Sequence, residues 1–461
     1  MSSLPDYDAT DRGLERLSPD ERARLQDERL RAMLRYAIES SPFWRRKLAG
    51  VALDAVTGVG DLAALPFTTR RELEDDQRDH PPFGSYACSR STVWRWLFAT
   101  SGTGGGRLLR IYSGRDWELL MDRFARHPVA QPGERVMVLA PADGLLGPTA
   151  SIEAARRAGA LPILAGPWDT RTRARMIEAL RPAVISGAAS YLVHLSEVAA
   201  ELGVALSVCG IRRVSSVGEP GAAVPATRAL LRERFGTSDI VDGYGMTELF
   251  PLGGSCPQSR ALHIAEDFVA VECVDPDTGA AVPEGEPGEL VYTNLIGDTQ
   301  PLIRYRSGDI GRLQRSPRCE CGSTVARVER IEGRADQMIW YRGINFFPSA
   351  VEQVVRSAPG LASGEYRIVL DRGQTGLPEV TVEVEAAAED SAFAGESLRR
   401  SLHTALGAKA AVAVLAPGSL PRAEGRKASR ILDRCGEAPT RPSRMTPTEA
   451  MANQDLSGGM K

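Results

Sequence analysis

Four short segments and one set of cysteines carry residue types suited to chemistry. The first is Thr100-Ser101-Gly102-Thr103, continued by Gly104, Gly105 and Gly106 and set between apolar runs. Glycine permits close approach and unusual dihedrals, so the N–H groups and hydroxyls of such a loop can turn toward phosphate oxygens. It is not a Walker A loop, since G-x-x-x-x-G-K-[ST] is absent, and a flexible surface turn has the same composition. In the second, DGYGMTELF, Tyr244 could stack on a purine, Thr247 could bond a phosphate, and Glu248 could hold Mg²⁺, which prefers oxygen ligands. An ordinary strand–turn–helix is the alternative. The third, RYRSGD, ends in Asp309, a carboxylate able to accept both ribose hydroxyls; Arg334 of GRADQ follows and can neutralise nucleotide charge. Either could equally be a solvated strand-end charge. The fourth places Arg426 and Lys427 after a Glu-Gly turn. A cation on a mobile loop suits the charge that gathers when a carboxylate attacks a phosphate, although basic turn residues are by default merely solvated.

Cys256 and His263 precede Cys319 and Cys321 of RCECGS. Three thiolates and an imidazole suit tetrahedral zinc, and four protein ligands would leave no open position, which makes such an ion structural. The alternative is free thiols, with His263 packing or facing a cleft. The chain has seven cysteines, an odd number. In a long chain whose N-terminus, MSSLPDYDATDRGLERL, has neither a basic nor an apolar signal region, thiols or metal ligands are expected rather than disulfides. The expected location is cytoplasmic.

The positioning elements follow from periodicity. Within about residues 15–48 the stretch LERLSPDERARLQDERLRAMLRYAIES reads as helix and stops before Pro42. Apolar runs at 135–141, 160–166, 183–189 and 211–219 alternate with amphipathic stretches, which predicts α/β layers with substantially parallel sheet. From about residue 265, Gly/Pro-punctuated strands predict an antiparallel β subdomain beside those layers. After GRADQ a small, mobile α+β domain is expected. The predicted division is 1–334 for the large domain, 335–435 for the small lid domain, and a disordered polar tail over 436–461. Charged residues number 56 basic and 59 acidic, a net charge of −3, with no basic–aromatic stripe; nucleic acid is not an expected partner. Nor is a membrane, since no run of about 18 apolar residues exists.

These segments stand in the order and approximate spacing of the adenylate-forming superfamily of acyl-CoA synthetases, peptide synthetase adenylation domains and luciferases. Within it the chain resembles phenylacetate-CoA ligases and related aryl-CoA ligases. SPFWRRKL, LPFTTRREL, SVGEP, LHIAED and RGINFFPSAVE share the likeness, which covers about residues 36–434.

The resemblance implies ATP- and Mg²⁺-dependent activation of an aromatic carboxylic acid to acyl-AMP, then transfer to coenzyme A; delivery to a carrier protein or an amine is the alternative. It puts Thr100, Ser101, Gly102 and Thr103 in the phosphate loop, and Gly218, Glu219 and Pro220 beside adenine. Tyr244, Gly245, Thr247 and Glu248 become the adenine, phosphate and magnesium motif. Asp309 becomes the ribose ligand assisted by Arg334, Asp336 the hinge, and Lys427 the adenylation lysine. The family loop usually reads Ser-Gly-Thr-Thr-Gly-Lys; here Gly106 stands at the lysine position and Arg107 follows it, as the candidate substitute. Arg426 intervenes before Lys427, so either cation can serve. Some phenylacetate-CoA ligase-like proteins hold a structural zinc in an arrangement similar to Cys256, His263, Cys319 and Cys321. By the same likeness the acid pocket draws on residues 137–145, 186–191 and 243–250, with Phe98 and Tyr191 as aromatic contacts, and a homodimer is suggested.

Overall fold

Ser18 opens the first long helix, α1 (Pro19–Ser40): its hydroxyl accepts from the Glu21 N–H, Glu21 reaches back to the Ser18 N–H, and Pro19 occupies the first turn. This reciprocal capping satisfies donors that a helix start leaves open. The structure, a computed structural model, describes residues 11–100, 107–249, 251–256, 258–341, 344–372, 378–407, 410–422 and 430–435. The buried face of α1 runs through Arg22, Gln26, Arg29, Leu30, Met33 and Ala37, and Arg22 pairs with buried Glu266 at 3.1 Å. Helices α2 (Pro42–Lys47) and α3 (Arg70–Asp79) follow, then the hairpin of β1 (Trp94–Ala99) and β2 (Leu109–Ser113) and helix α4 (Gly114–Arg126).

The alternating region comprises β3 (Arg135–Val138), α5 (Leu146–Arg157), β4 (Leu161–Leu164), α6 (Thr170–Leu180), β5 (Val184–Gly187), α7 (Ala189–Glu201), β6 (Arg213–Val217), α8 (Pro225–Phe235) and β7 (Asp239–Tyr244). Its strands pair in parallel in the order β7-β6-β5-β3-β4. All four residues of β5 are buried, as expected of a strand covered by helices on both faces.

The antiparallel strands are β8 (Gly253–Ser255), β9 (Leu262–Ile264), β10 (Val269–Val274), β11 (Pro287–Asn294), β12 (Tyr305–Gln314) and β13 (Arg327–Arg334). They do not form a separate layer. They continue the parallel strands as one 11-stranded sheet, β10-β11-β12-β13-β9-β8-β7-β6-β5-β3-β4. The three-residue strands β8 and β9 make the join. A Cβ at Gly253 would come within 2.7 Å of the His263 carbonyl oxygen, so glycine is what lets these two backbones meet.

Beyond these lie β14 (Ile339–Tyr341), β15 (Ile344–Phe346), α9 (Pro348–Ser357), β16 (Tyr366–Arg372), β17 (Pro378–Glu385), α10 (Ser391–Leu406), β18 (Ala411–Leu415) and β19 (Ile431–Asp433). Their four-stranded sheet, β18-β17-β16-β19, packs against α9 and α10 around Val351, Val355, Ile368, Val382 and Leu398, a core of its own. Among the described residues no helix is long and apolar enough to cross a membrane. The predicted tail, 436–461, lies outside the described residues.

Candidate active site

The parallel strands β5, β6 and β7 end at Gly187, Val217 and Tyr244. Ligands of open α/β sheets bind outside such carboxyl ends, and described residues of the first three segments singled out from sequence, together with Gly218–Pro220, lie there. Gly218 follows β6 directly, with φ of 93°. Pro220 leads into a short 3₁₀ turn at Gly221–Ala223. Glu219 turns inward: its carboxylate accepts from the Ser190 N–H, and burial, opposed by that bond, pushes it above the usual carboxylate range.

Tyr244, at the end of β7, donates its hydroxyl to Asp309 Oδ2 at 2.8 Å. Burial first, then the Asp309 carboxylate, raise the phenol well above its ordinary value, so it stays a donor at neutral pH. Asp309 lies opposite Arg334 in the β12–β13 register, with Arg334 Nη1 3.7 Å from its carboxylate. Arg334 also pairs with Asp336 at 3.1 Å. Gly308 makes this possible: its φ is 76°, and a Cβ there would stand 2.9 Å from Arg334 Nη2. One aromatic ring and three charged side chains thus converge from β7, β12 and the end of β13.

Glu248 is buried just beyond β7 and Gly245. Arg70 of α3 spans two candidate groups, donating from Nη1 to Glu248 Oε1 at 2.9 Å and from Nη2 to Thr100 Oγ1 at 2.8 Å. The Tyr305 hydroxyl donates to the same Glu248 oxygen at 3.4 Å, while Arg110 Nη2 donates to the Glu248 carbonyl at 3.1 Å. Tyr112 donates to the Thr247 carbonyl at 3.3 Å. Oε1 of Glu248 is therefore engaged by protein and Oε2 accepts no hydrogen bond among the described residues, an arrangement that fits one carboxylate oxygen on Mg²⁺.

Sequence reasoning missed Arg70, Arg110, Tyr112 and Tyr305. Arg70 sat in plain view within LPFTTRREL, directly after the Thr69 N-cap and inside the Thr69/Glu72 capping box. Arg110 and Tyr112 alternate on β2 directly after the glycine loop, so strand period alone would have aimed them the same way. Tyr191 is a correction. It lies fully buried between Arg173, 4.9 Å above its ring, and Thr170, and cannot line an acid pocket. Phe98 stacks on Trp117, centroids 5.9 Å apart. Ser101, Gly102, Thr103, Phe250, Arg426 and Lys427 lie outside the described residues.

Cys256, His263, Cys319 and Cys321 bring their ligand atoms within 4.8 Å of one another. Cys256 and Cys319 sulfurs are 3.9 Å apart, and His263 Nε2 is buried with no hydrogen-bond partner. Burial brings the His263 imidazole down to about 4, keeping it in the neutral form that ligates metals. Cys319, which burial raises, is brought down to about 7 by the Cys321 N–H and neighbouring donors.

Two family models match: "AMP-binding enzyme" over residues 113–294 and "AMP-binding enzyme C-terminal domain" over 343–435. The phenylacetate-coenzyme A ligase of Thermus thermophilus is 34% identical over 91% of this chain and 98% of its own. That of Escherichia coli is 32% identical, covering 91% and 96%. Among solved structures, 2-hydroxyisobutyryl-CoA ligase in the postadenylation state with 2-HIB-AMP overlays with a TM-score of 0.86 at 28% identity, covering 99% of this chain and 97% of that one. The same enzyme with 2-HIB-AMP and CoA in the thioesterification state gives 0.68 over the same shares. With two matching family models and a likeness that spans most of both chains, this chain belongs to the AMP-binding, adenylate-forming enzymes, as an AMP-forming acid–CoA ligase similar to the phenylacetate-CoA ligases.

Proposed function

We propose that the acid is aromatic, of the phenylacetate, benzoate or aminobenzoate type, and that the acceptor is free coenzyme A. The observation that carries this is the run of four phenylacetate-coenzyme A ligases at 30–34% identity over 91–93% of the chain. Gly187, Ala188 and Gly245, small residues at the carboxyl ends of β5 and β7, leave room there for a flat ring.

A carboxylate resists nucleophiles because oxide is a poor leaving group; attack of its oxygen on the α-phosphorus of ATP expels pyrophosphate and leaves acyl-AMP, from which the thiol then displaces AMP. Tyr244 and Gly218–Pro220 would flank the adenine, Asp309, held by Tyr244 and Arg334, would accept the ribose hydroxyls, and Thr100 with Ser101, Gly102 and Thr103 would cradle phosphate. Mg²⁺ held by Glu248 would offset the charge gathered on the phosphates. Lys427 or Arg426 would supply the cation at the attacked phosphorus. Asp336 serves as the hinge. The closer overlay on the postadenylation form than on the thioesterification form, at equal coverage, supports reading the present domain arrangement as that of adenylate formation. The division near residue 334, a cytoplasmic site of action and a homodimer complete the proposal.

Cys256, His263, Cys319 and Cys321 are proposed to hold one structural zinc. The set is closed, its imidazole neutral and its Nε2 unpartnered, which fits the ion and leaves no position for substrate.

The test is ATP–pyrophosphate exchange across phenylacetate, benzoate, salicylate, aminobenzoates and 2-hydroxyisobutyrate, with CoA then added to each positive. Exchange with an aryl acid leading to acyl-CoA is expected. Exchange with 2-hydroxyisobutyrate alone overturns the aromatic assignment, and exchange without acyl-CoA moves the acceptor to a carrier protein or an amine.

A further inference from the structure

Helix α8 begins at Pro225, and its N-cap residue, Val224, has no side chain able to cap. The acceptors for the donors there come from the other domain. The Ala226 N–H donates to Gln353 Oε1 at 3.0 Å, and the Thr227 hydroxyl donates to Glu352 Oε1 at 2.7 Å, both acceptors standing on α9 of the small domain. The Glu352 carboxylate also complements the positive end of the α8 dipole. One turn further along α9, the Arg356 side chain is wholly buried and pairs with Glu352 at 3.0 Å. Beside it the Gly364 N–H donates to Glu197 of α7 at 3.2 Å. A guanidinium with no exposed surface marks this as a closed, desolvated junction rather than a glancing contact.

What α8 is tied to matters as much. It starts five residues after Pro220, and Arg228 donates both to the Ala222 carbonyl at 2.9 Å and to the Ile240 carbonyl of β7. The helix that the small domain caps is therefore fastened to the segment carrying Gly218–Pro220 and to the strand ending in Tyr244.

We propose that Gln353 and Glu352 are positioning residues for adenylation. By capping α8 from the opposite domain they hold the small domain in its present arrangement and, through α8, steady both candidate adenine walls. Swinging the small domain away withdraws both acceptors, so the bonds favour the adenylating arrangement over the thioester-forming one and set the balance between half-reactions. This rests on the proposed reading of two domain arrangements.

The test uses the full chain and an acid shown to support exchange. Q353A, Q353E and T227V are each measured in ATP–pyrophosphate exchange and, separately, in single-turnover transfer from preformed acyl-adenylate to CoA. Q353A and T227V are expected to slow exchange by roughly threefold to thirtyfold, the range for loss of a helix N-cap, with transfer to CoA unchanged or faster. Q353E keeps an acceptor for the Ala226 N–H and restores exchange. The losses in a Q353A/T227V double variant fall short of additive, since both report one junction. Equal loss in both half-reactions, or no loss of exchange, in variants of an active wild-type chain overturns the capping proposal alone. A wild-type chain that forms adenylate but whose transfer step needs no domain rearrangement, judged by an interdomain crosslink that leaves transfer intact, overturns the reading beneath it.

Discussion

The Tyr244 hydroxyl and the Asp309 carboxylate, 2.8 Å apart, join the last residue of a parallel strand to the middle of an antiparallel one. The bond stands at the boundary between the two halves of the large sheet and orients the carboxylate proposed to hold ribose. A phenol donating to a carboxylate is a charge-assisted bond, stronger than a neutral one. Tyr244→Phe keeps the ring for stacking and removes only the donor. The expected outcome is a rise of about tenfold in the KM for ATP, with kcat changed little. An unchanged KM in pyrophosphate exchange would remove Asp309 orientation from the list of Tyr244 roles.

Arg70 bridges Glu248 and Thr100, so its loss should be felt at the metal as well as at the phosphates. Arg70→Ala is expected to lower exchange roughly tenfold or more and to shift the Mg²⁺ concentration needed for half-maximal rate. Arg70→Lys recovers only part, because a single ammonium cannot serve two acceptors as a guanidinium fork does. Wild-type Mg²⁺ dependence in Arg70→Ala would show that the bridge is merely structural.

The Cys₃His cluster predicts about one zinc per chain by elemental analysis, lost in Cys319→Ser. Because the site is closed, chelation should lower the melting temperature by several degrees, while exchange measured well below the new transition persists. A chain that purifies metal-free with an unshifted transition would return the four residues to free thiols and a packed histidine.

Glu385, the last residue of β17, is fully buried within the small domain. Burial raises its carboxyl, yet Arg422, through two bonds of 3.0 and 2.6 Å, and the Leu420 N–H together bring it down to about 2. A carboxyl whose folded value lies below its unfolded one stabilises the fold above the unfolded value and ceases to do so as pH falls toward the folded one. Unfolding monitored between about pH 4.5 and 2 should therefore show the small domain weakening on that limb. Glu385→Gln is less stable at neutral pH and flattens the acid limb; an identical acid profile in the variant would discount the Arg422 pair.

The sequence disclosed the parallel strands and their helices because each carries its own local pattern: β5 opens on Val184 and Ile185 in a short run of small and apolar residues, and α7 repeats at helical spacing. Tyr244, Asp309 and Arg334 were legible as chemistry because their motifs are local. What could not be read is whatever depends on distant backbone meeting. Gly254 opposite His263, and His263 opposite Arg327, weld two expected layers into one sheet, and nothing in the local pattern of either segment announces that partner. The same holds for Gln353 against Ala226, 127 residues apart. Tyr191 misled because an aromatic near a presumed pocket reads the same whether it faces substrate or the core.

The seam made by β8 and β9 has a consequence for how the chain assembles. Pairing of β7 with β8 and of β8 with β9 closes short loops. Pairing of β9 with β13 joins His263 to Arg327 across more than sixty residues, and the entropy of closing that loop must be met before the strands reward it. Cys256 and His263 flank the near side, and Cys319 and Cys321 lie just ahead of the far side. An ion gripping all four would bring those edges together before any ladder bond exists. Its removal should therefore slow refolding of the whole sheet while leaving the speed of either half untouched, making the cluster a matter of assembly kinetics as much as of finished stability.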